Sequence, residues 1–447
     1  RRQRQMCIRD RLNIVMNKLN IGIAGLGNVG SALVETIEEN KNNFFDKTDI
    51  ELNIVGISAR TKNKKRNFNI SNYTWYDDPR EMSKDDNCNV IVELIGEEKG
   101  ISYEIIETAL KNKKHVVTGN KALIANHGKE LFKLANTHSL ALSYEAAVAG
   151  GIPIIKTIKN SISLDRINKI SGILNGTTNY ILTKMQQDNL SFDAVLKIAK
   201  DKGFTSDQES KLDIGGYDAA HKLTILSTLC FKSNLNFNNN YIEGISNIKI
   251  EDINFAEKLG YKIKLISEAC IIEGKISNFT SPKLVSIDNP LANVDNALNA
   301  INIETTHLEN LFLEGEGAGG KPTASSVLSD LYDISQNEKF DNLGFKIDKL
   351  KNFEKYSAEN VINSYYLRIM TEDKPGVLSS ITNYFSDFDI SVKKILQLPE
   401  SSEADKPIPI IITTHNIQKE KLSNVINKIE GLEFVKEKIT VLAIHDN

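Results

Sequence analysis

An α/β fold in three parts is predicted by three patterns along the chain. Short buried strands alternate with amphipathic helices over the first 150 residues. A mixed region of helices and longer strands follows, and a strand-helix-strand-strand-helix-strand run closes the sequence. The first pattern reads as a doubly wound parallel sheet, because parallel strands need a crossover between them. Its leading strand, 19–24 (LNIGIA), passes at once into Gly25-Leu26-Gly27-Asn28-Val29-Gly30, and a helix pattern begins at Ser31. Strand, G-x-G-x-x-G and helix in that order mark a Rossmann-like dinucleotide site. Gly25 permits the tight turn, Gly27 lets a pyrophosphate reach the backbone, and Gly30 lets helix and strand pack closely. The helix N-terminus adds free N–H groups for the phosphates.

The second strand, 51–58 (ELNIVGIS), ends without the acidic residue that binds a ribose 2′-hydroxyl. Arg60, Lys62, Lys64, Lys65 and Arg66 follow instead. A cationic strand end suits a 2′-phosphate, so NADP is favoured, with NAD possible. Further strands are expected at 89–95 and 114–118, and the latter runs into Gly119-Asn120-Lys121. Ligands of such sheets bind beyond the C-terminal ends of the strands, where Asn120 and Lys121 stand. A strand at 140–144 leads to 145–153 (EAAVAGGIP). That glycine-rich turn either exposes carbonyls to a monovalent cation or simply joins two domains.

Farther on, Asp213-Ile214-Gly215-Gly216 stops one element, and 217–226 (YDAAHKLTIL) starts a helix. Asp218 and Lys222, spaced i, i+4, share one face. Buried beside a cofactor, a lysine held by a fixed carboxylate can donate a proton. On a surface the same spacing is an ordinary ion pair.

Composition excludes several classes. A chain of 447 residues, 40% hydrophobic, holds two to three domains with ample core. A net charge of −3 exerts no general pull on nucleic acid or anionic membrane, and no apolar run reaches a membrane span. Cys7, Cys88, Cys230 and Cys270 are scattered as in a reduced cytoplasmic protein, and no zinc-ligand cluster is present. Residues 1–15 carry five arginines but no signal-peptide apolar core, and read as a disordered or non-native leader before Met16.

With GLGNVG, VELIG, HVVTGNKALIA, YEAAVAGGIPII, GILNGTTNYIL, DIGGYDAAHKL and GEGAGGKPTASSV in this order, the chain resembles homoserine dehydrogenase from Leu19 onward. The resemblance implies reduction of L-aspartate 4-semialdehyde to L-homoserine with NADPH or NADH, in threonine and methionine biosynthesis. It implies that Lys222 is the proton donor, that Asp218 holds the substrate and this lysine, and that Lys121 lies near nicotinamide and substrate. Gly203 and Gly317 would touch the nucleotide. Glu145, Val148, Gly150 and Ile152 would supply oxygens, mostly main-chain, to Na+ or K+. A homodimer or homotetramer is implied as well.

Two departures stand out. The family's substrate-amine glutamate falls on Asp207, in a loop (204–212, FTSDQESKL) one residue longer than usual, which leaves Asp207 or Glu209 as the contact. Gly96-Glu97-Glu98 stands where the family shows Gly-Gly-Ser or Gly-Gly-Thr. These departures keep open a second reading, a catalytically weak or inactive homologue that serves as an amino-acid sensor.

The polar stretch 336–361 reads as a linker. Residues 362–447, with Asp373-Lys374-Pro375-Gly376-Val377-Leu378 at a helix start, resemble an ACT domain, a ferredoxin-like module that binds amino acids at paired interfaces; in this family the effector is commonly threonine. The expected layout is a nucleotide domain at 16–150 completed by 313–335, an inserted α+β substrate and dimerisation domain at 151–312, the linker, and the ACT module. A polar linker predicts that a chain ending near Glu359 still works as an enzyme.

Overall fold

The computed structural model describes residues 17–337, 339–397 and 407–445. It divides into two compact units, one running to Ser163 and resuming at Ala318–Leu350, the other comprising Leu164–Gly317 and the chain from Lys351. The leader, including Cys7, lies outside the described residues. Among the described residues no helix is long and apolar enough to cross a membrane.

In the first unit, β1 (Lys18–Ala24), β2 (Glu51–Ser58), β3 (Thr74–Trp75), β4 (Val90–Glu93), β5 (His115–Thr118) and β6 (Leu142–Ser143) form one parallel sheet. Their order is β3-β2-β1-β4-β5-β6, so the winding reverses between β1 and β4, where a crevice forms in such folds. Leu19, Ile21 and Ile23 are fully buried because helices cover the sheet. Helix Asn28–Thr48 buries Leu33, Val34 and Ile37, and helix Gly320–Gln336 packs against it with Val327 and Leu331. β4 ends earlier than the expected 95 because the Glu93 carboxylate turns back to accept the N–H groups of Ile95 and Gly96.

The second unit is built on β7 (Ile167–Ile173), β8 (Asn240–Ile242), β9 (Tyr261–Ile272), β10 (Lys275–Ser286), β11 (Leu298–Thr305) and β12 (Asn310–Glu316). Helix Tyr217–Phe231 lies on β7, β9 and β10 and is buried almost all round. A βαββαβ module follows, with β14 (Tyr365–Thr371), β15 (Val392–Gln397), β16 (Ile408–Thr414) and β18 (Thr440–His445) as its strands; a small pair, β13 (Ile362–Asn363) and β17 (Ile417–Gln418), flanks them. Helices Val377–Asp387 and Lys419–Glu430 close its core over Ile369, Ile381, Phe385, Ile410 and Val425.

This module is not a bead on a string. β18 pairs in parallel with β10 through Lys283–Val285, so one sheet runs β12-β11-β7-β9-β10-β18-β14-β16-β15. The same edge of β10 takes β8 at Asn278–Thr280, and Pro282, which has no N–H, falls between the two pairings. The stretch read as a linker is also stitched down. Lys351 bridges to Ser233, the Ile276 N–H donates to the Glu354 carbonyl, and in the first unit Asn342 is buried. Backbone pairing is indifferent to side-chain polarity, which is why composition alone suggested a spacer. A truncation near Glu359 would strip β18 from β10.

A buried ion pair fastens the same junction. Arg368 on β14 is 3% exposed and Asp252 on helix Ile250–Lys258 is fully buried. The guanidinium reaches Asp252 through Nε at 2.7 Å and Nη2 at 3.2 Å, and the Tyr366 hydroxyl donates to the same carboxylate. Removing one partner leaves an uncompensated buried charge. Asp252→Ala is therefore expected to cost about 3–5 kcal/mol. Replacing both partners, as in Asp252→Leu with Arg368→Met, should recover most of that loss. Urea unfolding of the wild type and both variants checks this.

Candidate active site

In the second unit the chain turns at Gly215-Gly216, with Gly216 at φ 82°, and enters helix Tyr217–Phe231. One turn in, Lys222 lies over Asp218, and both are 8% exposed. Lys222 Nζ is 2.8 Å from Asp218 Oδ2 and donates to the Leu174 carbonyl at 2.7 Å. The surface reading of this pair is thereby excluded. Asn175, just after β7, caps helix Gly176–Asp188 with its side-chain oxygen, which fixes its amide nitrogen. That nitrogen donates to Asp218 Oδ2 at 2.9 Å and to Asp213 Oδ1 at 2.8 Å. Thr205 Oγ1 donates to the other Asp213 oxygen. Burial, with the nearby Asp218 charge, raises the Asp213 carboxyl above its ordinary range, while the Asn175 and Thr205 hydrogen bonds oppose the rise.

The cluster thus brings together one amine, two carboxylates and an amide, all buried except the half-buried Asp213. It can protonate a developing alkoxide and hold a cationic group. Asn175, Asp213, Thr205 and the Leu174 carbonyl belong to it although the sequence reading gave them no role. Asp207 and Glu209 do not join it. The Asp207 side chain is 91% exposed and paired with Lys200, which lowers its pKa. Glu209 is committed to a capping box with Ser206 at the start of helix Asp207–Ile214. Gly203 sits at φ 75° just beyond helix Phe192–Asp201, and a Cβ on Gly317 would fall 2.0 Å from the Asn299 side chain.

The first unit carries the other expected residues. Gly25 takes φ 103°, and a Cβ on Gly30 would collide with the Gly25 carbonyl at 1.9 Å. Nothing lies within 4 Å of a Cβ placed on Gly27, and the helix that Asn28 and Val29 open has no side chain capping its N–H groups. Gly25, Leu26 and Gly27 line a cavity of about 720 Å³ together with Arg60, Lys62 and Arg66. A pyrophosphate fits there, since the glycine approach is open and the basic groups sit beside it. Glu97 lies at the same cavity with Oε1 3.8 Å from Arg60, both well exposed. Glu93 organises the strand ends by accepting from Ser102 and Thr118. Asn120 caps helix Lys121–Thr137 and donates to the Glu97 carbonyl, which puts Lys121 at the helix start.

In the turn 145–153, the Glu145 carboxylate accepts the N–H groups of Ile155 and Lys156. Burial and the Asp330 charge push its pKa up. The Gly150 carbonyl accepts from Ser326, the Ile152 carbonyl from the Ile154 N–H, and Ala149 and Gly150 both take positive φ. The carbonyls of Glu145, Gly150 and Ile152 thus each accept a hydrogen bond within the protein. Among the described residues no cluster of His, Cys, Asp and Glu could hold a metal ion.

Comparison with known proteins assigns these parts. The homoserine dehydrogenase family model matches residues 153–332, the NAD-binding domain of homoserine dehydrogenase matches 25–145, and the ACT domain matches 365–434. A homoserine dehydrogenase of Pseudomonas aeruginosa is 36% identical over 426 residues, covering 94% of this chain and 97% of that one. The crystal structure of a homoserine dehydrogenase from Thiobacillus denitrificans superposes with a TM-score of 0.88 at 34% identity, covering 96% of this chain and 98% of its own. A hyperthermophilic archaeal homoserine dehydrogenase in complex with NADPH, 28% identical, superposes with a TM-score of 0.59 over 71% of this chain and 98% of its own. Likeness of this extent, spanning both units, places the chain in the homoserine dehydrogenase family of NAD(P)-dependent oxidoreductases, with a C-terminal ACT domain.

Proposed function

We propose that the protein reduces L-aspartate 4-semialdehyde to L-homoserine with NADPH, Lys222 giving the proton, as a step of threonine and methionine biosynthesis. The position of the Lys222 ammonium, between Asp218 and the Leu174 carbonyl, carries this reading. An ammonium has three donors; these two acceptors engage two and orient the third toward a substrate oxygen. Bound nicotinamide supplies the hydride to the aldehyde carbon. Lys222 transfers a proton to the oxygen that becomes the hydroxyl and regains one from solvent. Asp218 holds the lysine in register. The substrate ammonium meets the half-buried Asp213 and the buried Asp218, and the outward Asp207 and Glu209 stay outside its reach. Lys121, with Asn120 at the strand ends of the nucleotide unit, serves the nicotinamide side, and Gly203 and Gly317 complete the nucleotide contacts. Lys222→Ala should lower kcat by about 10²–10⁴ while NADPH binding persists. Stopped-flow NADPH oxidation and fluorescence titration of the nucleotide decide this, and a near-normal kcat would remove Lys222 from the role.

The cofactor preference rests on Arg60, Lys62 and Arg66 around the nucleotide cavity and on the archaeal relative that holds NADPH. Arg60 pairs with the 2′-phosphate. Glu97 competes for it and moderates the preference. Arg60→Asp should lose a charge-assisted contact worth about 1.5–3 kcal/mol, visible as a rise in KM for NADPH with little change for NADH. Equal KM values for the two nucleotides in the wild type would contradict the preference.

A sodium or potassium ion sits at the main-chain oxygens of Glu145, Val148, Gly150 and Ile152. The working protein is a cytoplasmic homodimer or homotetramer. Threonine binds where helix Val377–Asp387 starts, Gly376 taking φ 90° with open space around its Cβ position. Threonine is expected to inhibit the full chain, and Gly376→Ala to keep activity while losing that response. Because removing the module would also uncover β10 and Asp252, a point change replaces truncation as the test. An unresponsive wild type would mean that the module senses something else.

A further inference from the structure

Inside the second unit a cavity of about 740 Å³ opens between helix Lys419–Glu430, β18 and the segment Glu243–Lys249 that follows β8. Its size is that of small-molecule sites. It contains no residue of the helix start at Gly376. At one wall the Tyr241 hydroxyl accepts from Lys419 Nζ at 2.9 Å and donates to Glu243 Oε2 at 3.2 Å. Lys419 also lies over the Tyr241 ring, 4.2 Å from its centroid. Among the described residues no carboxylate comes within ion-pair distance of Lys419, and no cation within that distance of Glu243. One neutral phenol, its pKa raised by burial, therefore holds a cation and an anion apart without either neutralising the other. Phe279, Leu422 and Ile426 give the same cavity an apolar lining.

We infer that this cavity binds a small zwitterion, an α-amino acid with an aliphatic side chain, its carboxylate on Lys419 and its ammonium on Glu243. Charge-assisted contacts at both ends, with the aliphatic body against Phe279 and Leu422, select that class over a simple amine or a simple acid. The site differs from the threonine site proposed at Gly376 and does not depend on it.

Binding there reaches the active site by a short route. The Glu243 N–H donates to the Thr280 carbonyl of β10, and the Ile245 N–H donates to the Ile214 carbonyl at 2.8 Å. Gly244 between them packs so closely that a Cβ would sit 2.2 Å from Ile214 O. Ile214 follows Asp213, which shares the Asn175 amide with Asp218. A ligand that pulls Glu243 shifts this seam and with it the carboxylates that meet the substrate, so KM for the semialdehyde should change more than kcat.

Calorimetric titration of the full chain with L-isoleucine, L-leucine, L-methionine and L-threonine tests the inference. At least one should bind. Isoamylamine and isovalerate, each lacking one charge of leucine, should bind about tenfold or more weakly. Lys419→Met should weaken the amino acid by a similar factor, and Ser423→Trp, which fills the cavity, should abolish binding. Gly376→Ala should leave it intact, each variant being used with an unchanged melting temperature. No binding by any of the four amino acids would overturn the inference. So would binding that survives both Lys419→Met and Ser423→Trp, or that disappears only in Gly376→Ala; the last result would place the ligand at the module's helix start.

Discussion

The Asn175 amide nitrogen donates to Asp213 and Asp218 at once, while Lys222 neutralises the second of them and is itself tied to the Leu174 carbonyl. Buried charges are tolerated only when their partners are in place, so this cluster dictates what surrounds it. β7 must end at Ile173, freeing the Leu174 carbonyl and the Asn175 side chain for work outside the ladder. Helix Asp207–Ile214 must stop so that Asp213 faces Asp218, and Gly216 supplies the left-handed turn that restarts the chain. That turn rests on Thr280 and Ile242, which leaves little room for any side chain at Gly216. The central sheet is shaped around four polar side chains as much as around its apolar core.

The nucleotide unit was legible because its signals are local. A strand, a glycine hexapeptide and a helix announce one βα turn, and repetition of that unit fixes a parallel sheet. The order of the regulatory module was legible for the same reason, from D-K-P-G-V-L and the alternation after it. Its fusion to β10 was not. That contact joins residues 283–285 to 443–445 through backbone atoms, and no side-chain pattern encodes which edge a strand will find.

The site divides in the same way. Asp218 and Lys222 could be paired from the sequence because four residues on a helix set their distance. Asn175 and Thr205 could not, lying 43 and 13 positions before Asp218, with only the fold to bring them in. A local cue against Glu209 was present, however. Ser206-Asp207-Gln208-Glu209 has the spacing of a capping box, which commits Ser206 and Glu209 to the helix end. Position-by-position transfer across a lengthened loop pointed to Asp207, while the carboxylate beside Asp218 is the half-buried Asp213.

Parallel pairing of β10 with β18 also bears on how the chain acquires its structure. Asp252 and the β10 edge leave the ribosome more than a hundred residues before Arg368 and β18 can meet them. Helix Asn28–Thr48 likewise waits for helix Gly320–Gln336, more than half the chain later. Contacts of such sequence separation form slowly, because loop closure precedes any reward. During synthesis the second unit passes through a state with an open strand edge and an unmatched carboxylate, the kind of species that chaperones hold. The same strand that joins the regulatory module to the catalytic sheet therefore makes completion of that sheet a late step of folding.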